Sequence, residues 1–116
     1  MFHPLFDLTG RVALVTGAGQ NMGRASAVAL AEIGADLLIA DINEPGLQET
    51  AAIIRGLGRR AVPVVCDVWN EEQIRAMYGQ LDREFGRVDI AVNIPGGNKL
   101  GHPEEISVEQ FTEVIR

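Results

Sequence analysis

The chain has 116 residues, of which 47% are hydrophobic and 22% are charged, and its formal net charge is −6. This length fits one domain, and the composition is that of a globular chain rather than a disordered one. The acidic balance argues against a nucleic acid or an anionic membrane surface as the partner. The start, Met1 to Pro4, lacks the pattern of a signal peptide, and no apolar run approaches the ~20 residues of a membrane-spanning helix.

Cysteine and histidine limit the chemistry further. The single cysteine, Cys66, permits no internal disulfide and fits a reducing compartment, so a cytoplasmic location is predicted. Cys66 lies in an apolar strand and is interpreted as a core residue rather than a reactive thiol. His3 and His102 have no companions at metal-ligand spacing, so no metal site is predicted.

Apolar runs alternate with segments of helical periodicity along the chain. Glycines end three predicted helices: the first ends at Gly34, where a left-handed cap is expected, the second at Gly56 and Gly58, and the third at Gly86. Asn43 is predicted to cap the second helix, and Asn70 with Gln73 to form a capping box on the third. Strands alternating with helices of this length predict parallel βαβ units with right-handed crossovers. The predicted strands are 11–16, 35–41, 61–66 and 88–94, and the predicted helices start near residues 22, 44, 71 and 108.

A glycine-rich turn joins the first strand to the first helix, in the stretch Thr16-Gly17-Ala18-Gly19-Gln20-Asn21-Met22-Gly23. Strand, glycine turn and helix follow one another in the order that binds a dinucleotide pyrophosphate. The glycines permit a tight turn and close approach of a ligand, and the helix offers free N–H groups to an anion. The sequence therefore predicts a phosphate site at this turn.

Polar residues end the other three predicted strands. Asp41 follows Gly23 by 18 positions, near the spacing at which a carboxylate accepts hydrogen bonds from a ribose diol. Asp67 closes the third strand and Asn93 the fourth. Because ligands bind at the carboxyl ends of parallel strands, these side chains are expected at one site. The alternatives are that Asp41 only caps its loop and that Asp67 only forms a turn.

These motifs resemble the N-terminal part of a short-chain dehydrogenase/reductase. Thr16, Gly17 and Gly23 match the family's Thr-Gly-x-x-x-Gly-x-Gly turn, while Asn21 stands where its middle glycine is expected. Asparagine tolerates the left-handed conformation better than other non-glycine residues, so the turn is expected to form. The resemblance implies an α/β three-layer NAD(P)-binding Rossmann fold, with a partial parallel sheet of order 3-2-1-4 and helices on both faces. It further implies that 1–116 is one dinucleotide-binding domain that is incomplete at its C-terminus.

The resemblance also implies a cofactor. Asp41 favours NAD over NADP because its carboxylate would repel a 2′-phosphate, and Gln20 agrees, since family members that select NADP often carry a basic residue in the turn. Asp67 and Val68 resemble a pair that contacts adenine. Asn93-Ile94-Pro95-Gly96 stands where the family has Asn-Asn-Ala-Gly, and Pro95 lacks a backbone donor. The expected cofactor-binding residues are Gly17, Gly19, Gln20, Asn21, Met22, Gly23, Asp41, Ile42, Asp67, Val68, Asn93, Pro95 and Gly96.

No catalytic residue is assigned. The family's hydride transfer uses a serine and a tyrosine with a lysine four positions later, whose ammonium lowers the tyrosine pKa. Here the only tyrosine is Tyr78, and the position four residues later holds Asp82 instead of a lysine. The only lysine, Lys99, lies in a glycine-rich segment. The chain is therefore expected to be the NAD-binding portion of an oxidoreductase, unable to catalyse alone. Binding and conversion of an alcohol or ketone substrate would require the C-terminal half of such an enzyme.

Two alternatives remain open at the level of sequence. One is a non-catalytic NAD-binding module, and the other is a structural remnant that associates with another subunit. The fourth strand is apolar like an interior strand but is expected at a sheet edge, and exposed apolar edges recruit other chains. A homo-oligomer is therefore expected, with no nucleic acid or membrane partner.

Overall fold

The computed structural model describes residues 7–94, and the helix predicted near residue 108 lies outside them. The elements are β1 (Val12–Thr16), α1 (Asn21–Glu32), β2 (Asp36–Asp41), α2 (Glu44–Gly56), β3 (Ala61–Val65), α3 (Glu71–Glu84) and β4 (Ile90–Asn93). The strands form a parallel sheet of order β3-β2-β1-β4, which confirms the predicted order. None of the helices within 7–94 has the length and apolar character needed to cross a membrane.

Both faces of the central strands are buried, which explains their continuous apolar sequences. Successive side chains of a strand point to opposite faces. On one face Val15 and Ile39 pack with residues of α1 and α2, including Ala27 and Leu47. On the other face Leu14, Leu38 and Ala40 pack with three residues of α3, which are Ile74, Met77 and Leu81. The sheet thus lies between two helical layers, as a three-layer fold requires.

Helix α1 buries a stripe of small residues at four-residue spacing, Gly23, Ala27 and Ala31. Residues four positions apart share a face of a helix, and small side chains let that face approach closely. The other alanines of the helix, at positions 25 and 29, are exposed. The close approach of α1 brings its N-terminus directly against the end of β1.

Asparagine side chains cap the other two helices, as predicted. Asn43 Oδ1 accepts the Gly46 N–H at 3.2 Å, and Asn70 Oδ1 accepts the Gln73 N–H at 3.1 Å. The predicted capping box at α3 is only half formed. The Gln73 side chain accepts the N–H of Asp67 at 2.8 Å instead of that of Asn70, whose own N–H donates to the Asp67 carbonyl at 2.9 Å. The hydrogen bonds of Gln73 therefore connect the residue that follows β3, Asp67, to the first turn of α3.

Polar contacts bracket the β1–β4 pair at both ends. At its start, Asp89 Oδ2 accepts the Val12 N–H at 2.8 Å, and the Asp89 N–H donates to the Val12 carbonyl at 2.8 Å. The hydrogen bond from Arg87 and the one from Val12 hold the pKa of Asp89 below its usual value. At its end, the Ile94 N–H donates to Thr16 Oγ1 at 3.1 Å. These contacts set the register that places Asn93 opposite Thr16.

Candidate functional site

The glycine turn requires glycine where the backbone is most crowded. Gly17 has a φ of 68°, which L side chains rarely adopt. A methyl group at position 17 would lie 2.9 Å from the carbonyl oxygen of Ile94, and one at position 23 would lie 1.7 Å from the carbonyl oxygen of Gly17. Gly23 is thus the residue that lets α1 start directly against β1, and the predicted roles of Gly17 and Gly23 in shaping the turn agree with this geometry.

Asn21 takes the left-handed conformation that its position in the turn requires. Its φ is 51°, and it is the one non-glycine residue with positive φ among residues 7–94. Asparagine is among the few residues that adopt this conformation at moderate cost. The turn therefore forms with asparagine in place of the family's middle glycine.

The N-terminus of α1 differs from those of α2 and α3. The residue before it, Gln20, makes no side-chain cap, and the first turn carries no acidic residue. Helices α2 and α3 have an asparagine cap and at least one glutamate in the first turn. The first N–H groups of a helix lack intrahelical partners and attract anions. The residues Gln20 and Met22 are exposed, and Met22 has a relative exposure of 74%. They therefore belong to the turn through their backbone.

Asp41 lies at the end of β2 and binds the glycine turn directly. Its Oδ2 accepts the Gly19 N–H at 2.7 Å, and its Oδ1 accepts the Asn43 N–H at 3.0 Å. A methyl group at position 19 would lie 2.7 Å from the same Oδ2, so the contact requires glycine. Asp41 therefore both caps its own loop, through the Asn43 N–H, and contacts the glycine turn, through the Gly19 N–H. An ionised carboxylate offers about four lone-pair sites, so about two remain for a ligand.

Two residues that sequence reasoning missed hold the other side of this turn. Thr50 is fully buried, and its hydroxyl donates to the Ala18 carbonyl at 2.7 Å. Arg24 donates from Nε to Thr50 Oγ1 at 2.9 Å and from Nη2 to the Gly19 carbonyl at 2.8 Å. The only sequence signal was a threonine and an arginine at ordinary helical positions, so nothing in the pattern singled them out.

A small, partly open cavity lies beside the turn at the carboxyl ends of the strands. It brings together several residues predicted from sequence to bind the cofactor. Trp69 also lines this cavity. The lining residues are Gly17, Asp41, Ile42, Cys66, Asp67, Val68, Trp69 and Ile94.

Asp67 both forms a turn and faces this cavity. Its Oδ1 accepts the Trp69 N–H at 2.9 Å, which is the turn-forming geometry that the alternative interpretation expected. The same turn directs Val68 inward, where it is 6% exposed. The turn is therefore present, and a contact between Asp67 and adenine stays a prediction.

Asn93 ends β4 beside the turn. Its Oδ1 is buried and finds no hydrogen-bond partner within 7–94, a state that costs free energy unless a further group donates to it. Pro95 and Gly96, which were also predicted to contact the cofactor, lie outside the described residues. Asn93 is thus a buried acceptor next to the predicted adenosine-side contacts.

The Cys66 thiol lines the cavity but is protected by burial, since the residue is 1% exposed. Burial, with the nearby charge of Asp67, raises the pKa of Cys66 from 9.0 to about 11. The core assignment made from sequence is therefore confirmed. The cytoplasmic location inferred from the single cysteine stays a prediction.

We expect the folded chain to react with a disulfide reagent at pH 8 at least about a hundredfold more slowly than the unfolded chain, because less thiolate is present. Because the folded thiol keeps its proton to higher pH, its contribution to stability is full below pH 9 and is lost as the pH rises through about 11. Reaction with 5,5′-dithiobis(2-nitrobenzoate), with and without urea, measures the ratio. Equal rates would show that Cys66 is accessible.

The residues present fit the adenosine and pyrophosphate part of a nicotinamide dinucleotide. The turn provides glycines whose Cβ space is filled by backbone, together with an uncapped helix start. Asp41 retains free acceptor capacity beside it. The cavity presents apolar side chains next to Asp67. A phosphate, a ribose and a base would each meet a group of matching chemistry.

Comparison with known proteins finds relatives along nearly the whole chain. The chain is 39% identical over 109 residues to the short chain dehydrogenase/reductase astE of Aspergillus oryzae, which covers 93% of this chain and 40% of that relative. A solved short-chain type dehydrogenase/reductase from Mycobacterium marinum has a TM-score of 0.77 and 38% identity, covering 95% of this chain and 44% of that one. NAD⁺-bound xylitol dehydrogenase has a TM-score of 0.76 and 35% identity, covering 93% and 42%.

The chain spans less than half the length of each of these three proteins. The family model described as short chain dehydrogenase matches residues 11–116, which include the glycine turn, Asp41, Asp67 and Asn93. The resemblance seen in the sequence and the order of the sheet are thereby confirmed. The chain belongs to the short-chain dehydrogenase family.

Proposed function

We propose that this chain binds NAD through its adenosine and pyrophosphate part, as the cofactor-binding portion of an oxidoreductase that acts on an alcohol or ketone. The observation that carries the proposal is the 2.7 Å hydrogen bond from the Gly19 N–H to Asp41 Oδ2. It joins the glycine turn to the acidic end of β2, so that a phosphate site and a diol acceptor lie side by side. The uncapped start of α1 supplies the N–H groups for the phosphates.

The charge of Asp41 favours NAD over NADP. Backbone N–H groups occupy one lone pair on each carboxylate oxygen, which leaves acceptor sites for the two hydroxyls of a ribose. A 2′-phosphate would instead place a second anion against the carboxylate. At about 4 Å and an effective dielectric of about 20, like charges repel by about 4 kcal/mol, and partial exposure of Asp41 reduces this. We expect a preference for NAD of at least about tenfold.

When bound, NAD supplies a hydride acceptor, and this chain's residues bind and orient it. Residues 7–94 offer no acid–base tyrosine. Tyr78 lies on α3 and packs against the core. Burial raises its pKa, whereas a catalytic tyrosine needs a lowered pKa. We therefore propose that the chain as given binds the cofactor without turnover, and that substrate chemistry requires residues of the kind found in the longer relatives.

Calorimetric titration of the 116-residue chain with NAD and with ADP tests this proposal. If only the adenosine and pyrophosphate part is bound, the two ligands have affinities within about threefold of each other. Trp69, the only tryptophan, lines the cavity, so its fluorescence reports the same event. NAD binding much tighter than ADP would show that the chain also holds the nicotinamide, and absence of heat with both ligands would contradict the proposal.

A second function, association with another chain, is favoured by one observation. β4 forms an edge of the four-stranded sheet, and Val88 before it is 44% exposed. The opposite edge, β3, contains Pro63, which lacks a donor and so limits pairing there. We propose self-association through β4. Light scattering across a concentration series measures it, and a constant monomer mass would refute it.

A further inference from the structure

We propose that Arg24 and Thr50 are positioning residues of the dinucleotide site. They hold the carbonyl side of the glycine turn, so that its N–H side stays directed at Asp41 and at the ligand. This inference rests on the proposed binding of NAD and deepens it, because it assigns a role at that site to two residues outside the glycine motif.

The peptide group formed by the Ala18 carbonyl and the Gly19 N–H is held on both sides, by Thr50 and by Asp41. The next peptide group, formed by the Gly19 carbonyl and the Gln20 N–H, is held at its carbonyl by Arg24. On the N–H side, Ala18 donates to the Ala40 carbonyl at 3.0 Å and Gly19 donates to Asp41 at 2.7 Å. On the carbonyl side, Ala18 accepts from Thr50 at 2.7 Å and Gly19 accepts from Arg24 at 2.8 Å. Because each peptide is planar, fixing its carbonyl fixes the direction of the N–H group beside it.

Arg24 and Thr50 act as one unit. The Arg24 guanidinium spans three acceptors besides the turn, which are Thr50 Oγ1 at 2.9 Å, the Gly46 carbonyl at 3.0 Å and Glu49 Oε2 at 3.0 Å. Nε donates to Thr50, and the two N–H groups of Nη2 are shared among the carbonyls of Gly19 and Gly46 and the Glu49 carboxylate. A lysine ammonium has a single nitrogen and cannot match this set. The guanidinium therefore joins α1, α2 and the glycine turn at one point.

The first turn of α2 lies close enough for this network only because residue 46 is glycine. A methyl group there would lie 2.3 Å from the Gly19 carbonyl oxygen. The Thr50 hydroxyl also lies 3.1 Å from the Gly46 carbonyl, the bond that threonines make within many helices. Its shorter contact to Ala18 crosses between elements, so Thr50 has a role beyond its own helix.

Three substitutions separate positioning from a general contribution to folding. Thr50→Val keeps the shape but loses the hydroxyl, Thr50→Ser keeps the hydroxyl, and Arg24→Lys keeps the charge but not the fork. Glu84→Gln is the matched control, since Glu84 also pairs with an arginine, Arg60, but lies at the far end of α3, and exposed ion pairs contribute little. Affinity for NAD is measured by calorimetry at 15 °C, and circular dichroism verifies that each variant is folded.

We expect Thr50→Val and Arg24→Lys to weaken NAD binding about tenfold, the loss typical of one buried hydrogen bond. Thr50→Ser and Glu84→Gln are expected to stay within about threefold of the parent chain. If Thr50→Val fails to fold, Arg24→Lys decides. Unchanged affinity in the folded variants, with the parent chain binding NAD, would overturn the inference while leaving the proposed function standing.

Hydrogen exchange of the Gly19 amide gives a measurement that does not depend on the ligand. We expect this amide to exchange at least about tenfold faster in Thr50→Val than in Thr50→Ser, because the turn is released on its carbonyl side. If the parent chain does not bind NAD, the proposed function fails and this comparison still decides whether the pair positions the turn. Equal exchange rates in the two variants would contradict the positioning role.

Discussion

Replacing Gly23 with alanine is expected to destabilise the chain by about 3 kcal/mol and to abolish measurable NAD binding. Alanine is intrinsically better than glycine in a helix by about 1 kcal/mol. Here the added methyl group would lie 1.7 Å from the Gly17 carbonyl oxygen, so α1 must move away from the turn. Overpacking of this kind costs about 1–3 kcal/mol or more, and the clash outweighs the helix preference. Thermal unfolding should show a midpoint lower by about 10 °C.

Gly79 provides the control because it also lies within a helix, α3. A methyl group there would meet only the end of the Arg83 side chain, at 3.4 Å. Gly79→Ala is therefore expected to raise the midpoint slightly, by the helix preference alone. If Gly23→Ala also raised the midpoint and still bound NAD, the close contact between α1 and the turn would not be what shapes the site.

Replacing Asp41 with asparagine is expected to weaken NAD binding about tenfold and to remove the preference over NADP. The neutral amide offers one acceptor oxygen in place of two, so it cannot serve the Gly19 N–H, the Asn43 N–H and a ribose diol together. It also lacks the charge that repels a 2′-phosphate. Calorimetry with NAD and NADP on the same preparation measures both effects as a ratio of dissociation constants.

Asp36 is the matched control for this substitution. It begins the same strand and accepts the Arg60 N–H at 2.9 Å, but it lies at the end of β2 opposite to Asp41. Asp36→Asn should leave both dissociation constants unchanged. A parent chain that binds the two nucleotides equally, or an Asp41→Asn variant that keeps its preference for NAD, would show that another group selects the cofactor.

The sequence predicted the turn and the alternation of strands and helices, whereas the sheet order was implied by the resemblance to the family. Continuous apolar strands and polar strand ends follow from local chemistry. Asn21 could be accepted in the turn because its left-handed tolerance is a property of the residue itself, and its φ of 51° agrees. Periodicity and motifs therefore predict those parts of the site whose residues lie close together in the sequence.

Contacts between distant residues were beyond the reach of the sequence. The hydrogen bonds from Arg24 to Thr50 and from Thr50 to Ala18 join residues that are 26 and 32 positions apart. They depend on how closely α2 approaches the turn, which no local pattern encodes. Gln73 shows the same limit. The spacing between Asn70 and Gln73 fits a capping box. In the structure, however, the Gln73 side chain accepts the N–H of Asp67, which follows β3, instead of the N–H of Asn70.

The thermal midpoint of the 116-residue chain in millimolar NAD, with NADP as the comparison, is the most direct test of the proposed binding of NAD. A ligand that binds only the folded state raises the midpoint according to its affinity. We predict a rise with NAD and a smaller rise or none with NADP, because the turn containing Asn21 is competent and Asp41 selects the diol. No rise with either nucleotide would mean that the chain keeps the family's fold without its binding site, and would favour the structural association through β4.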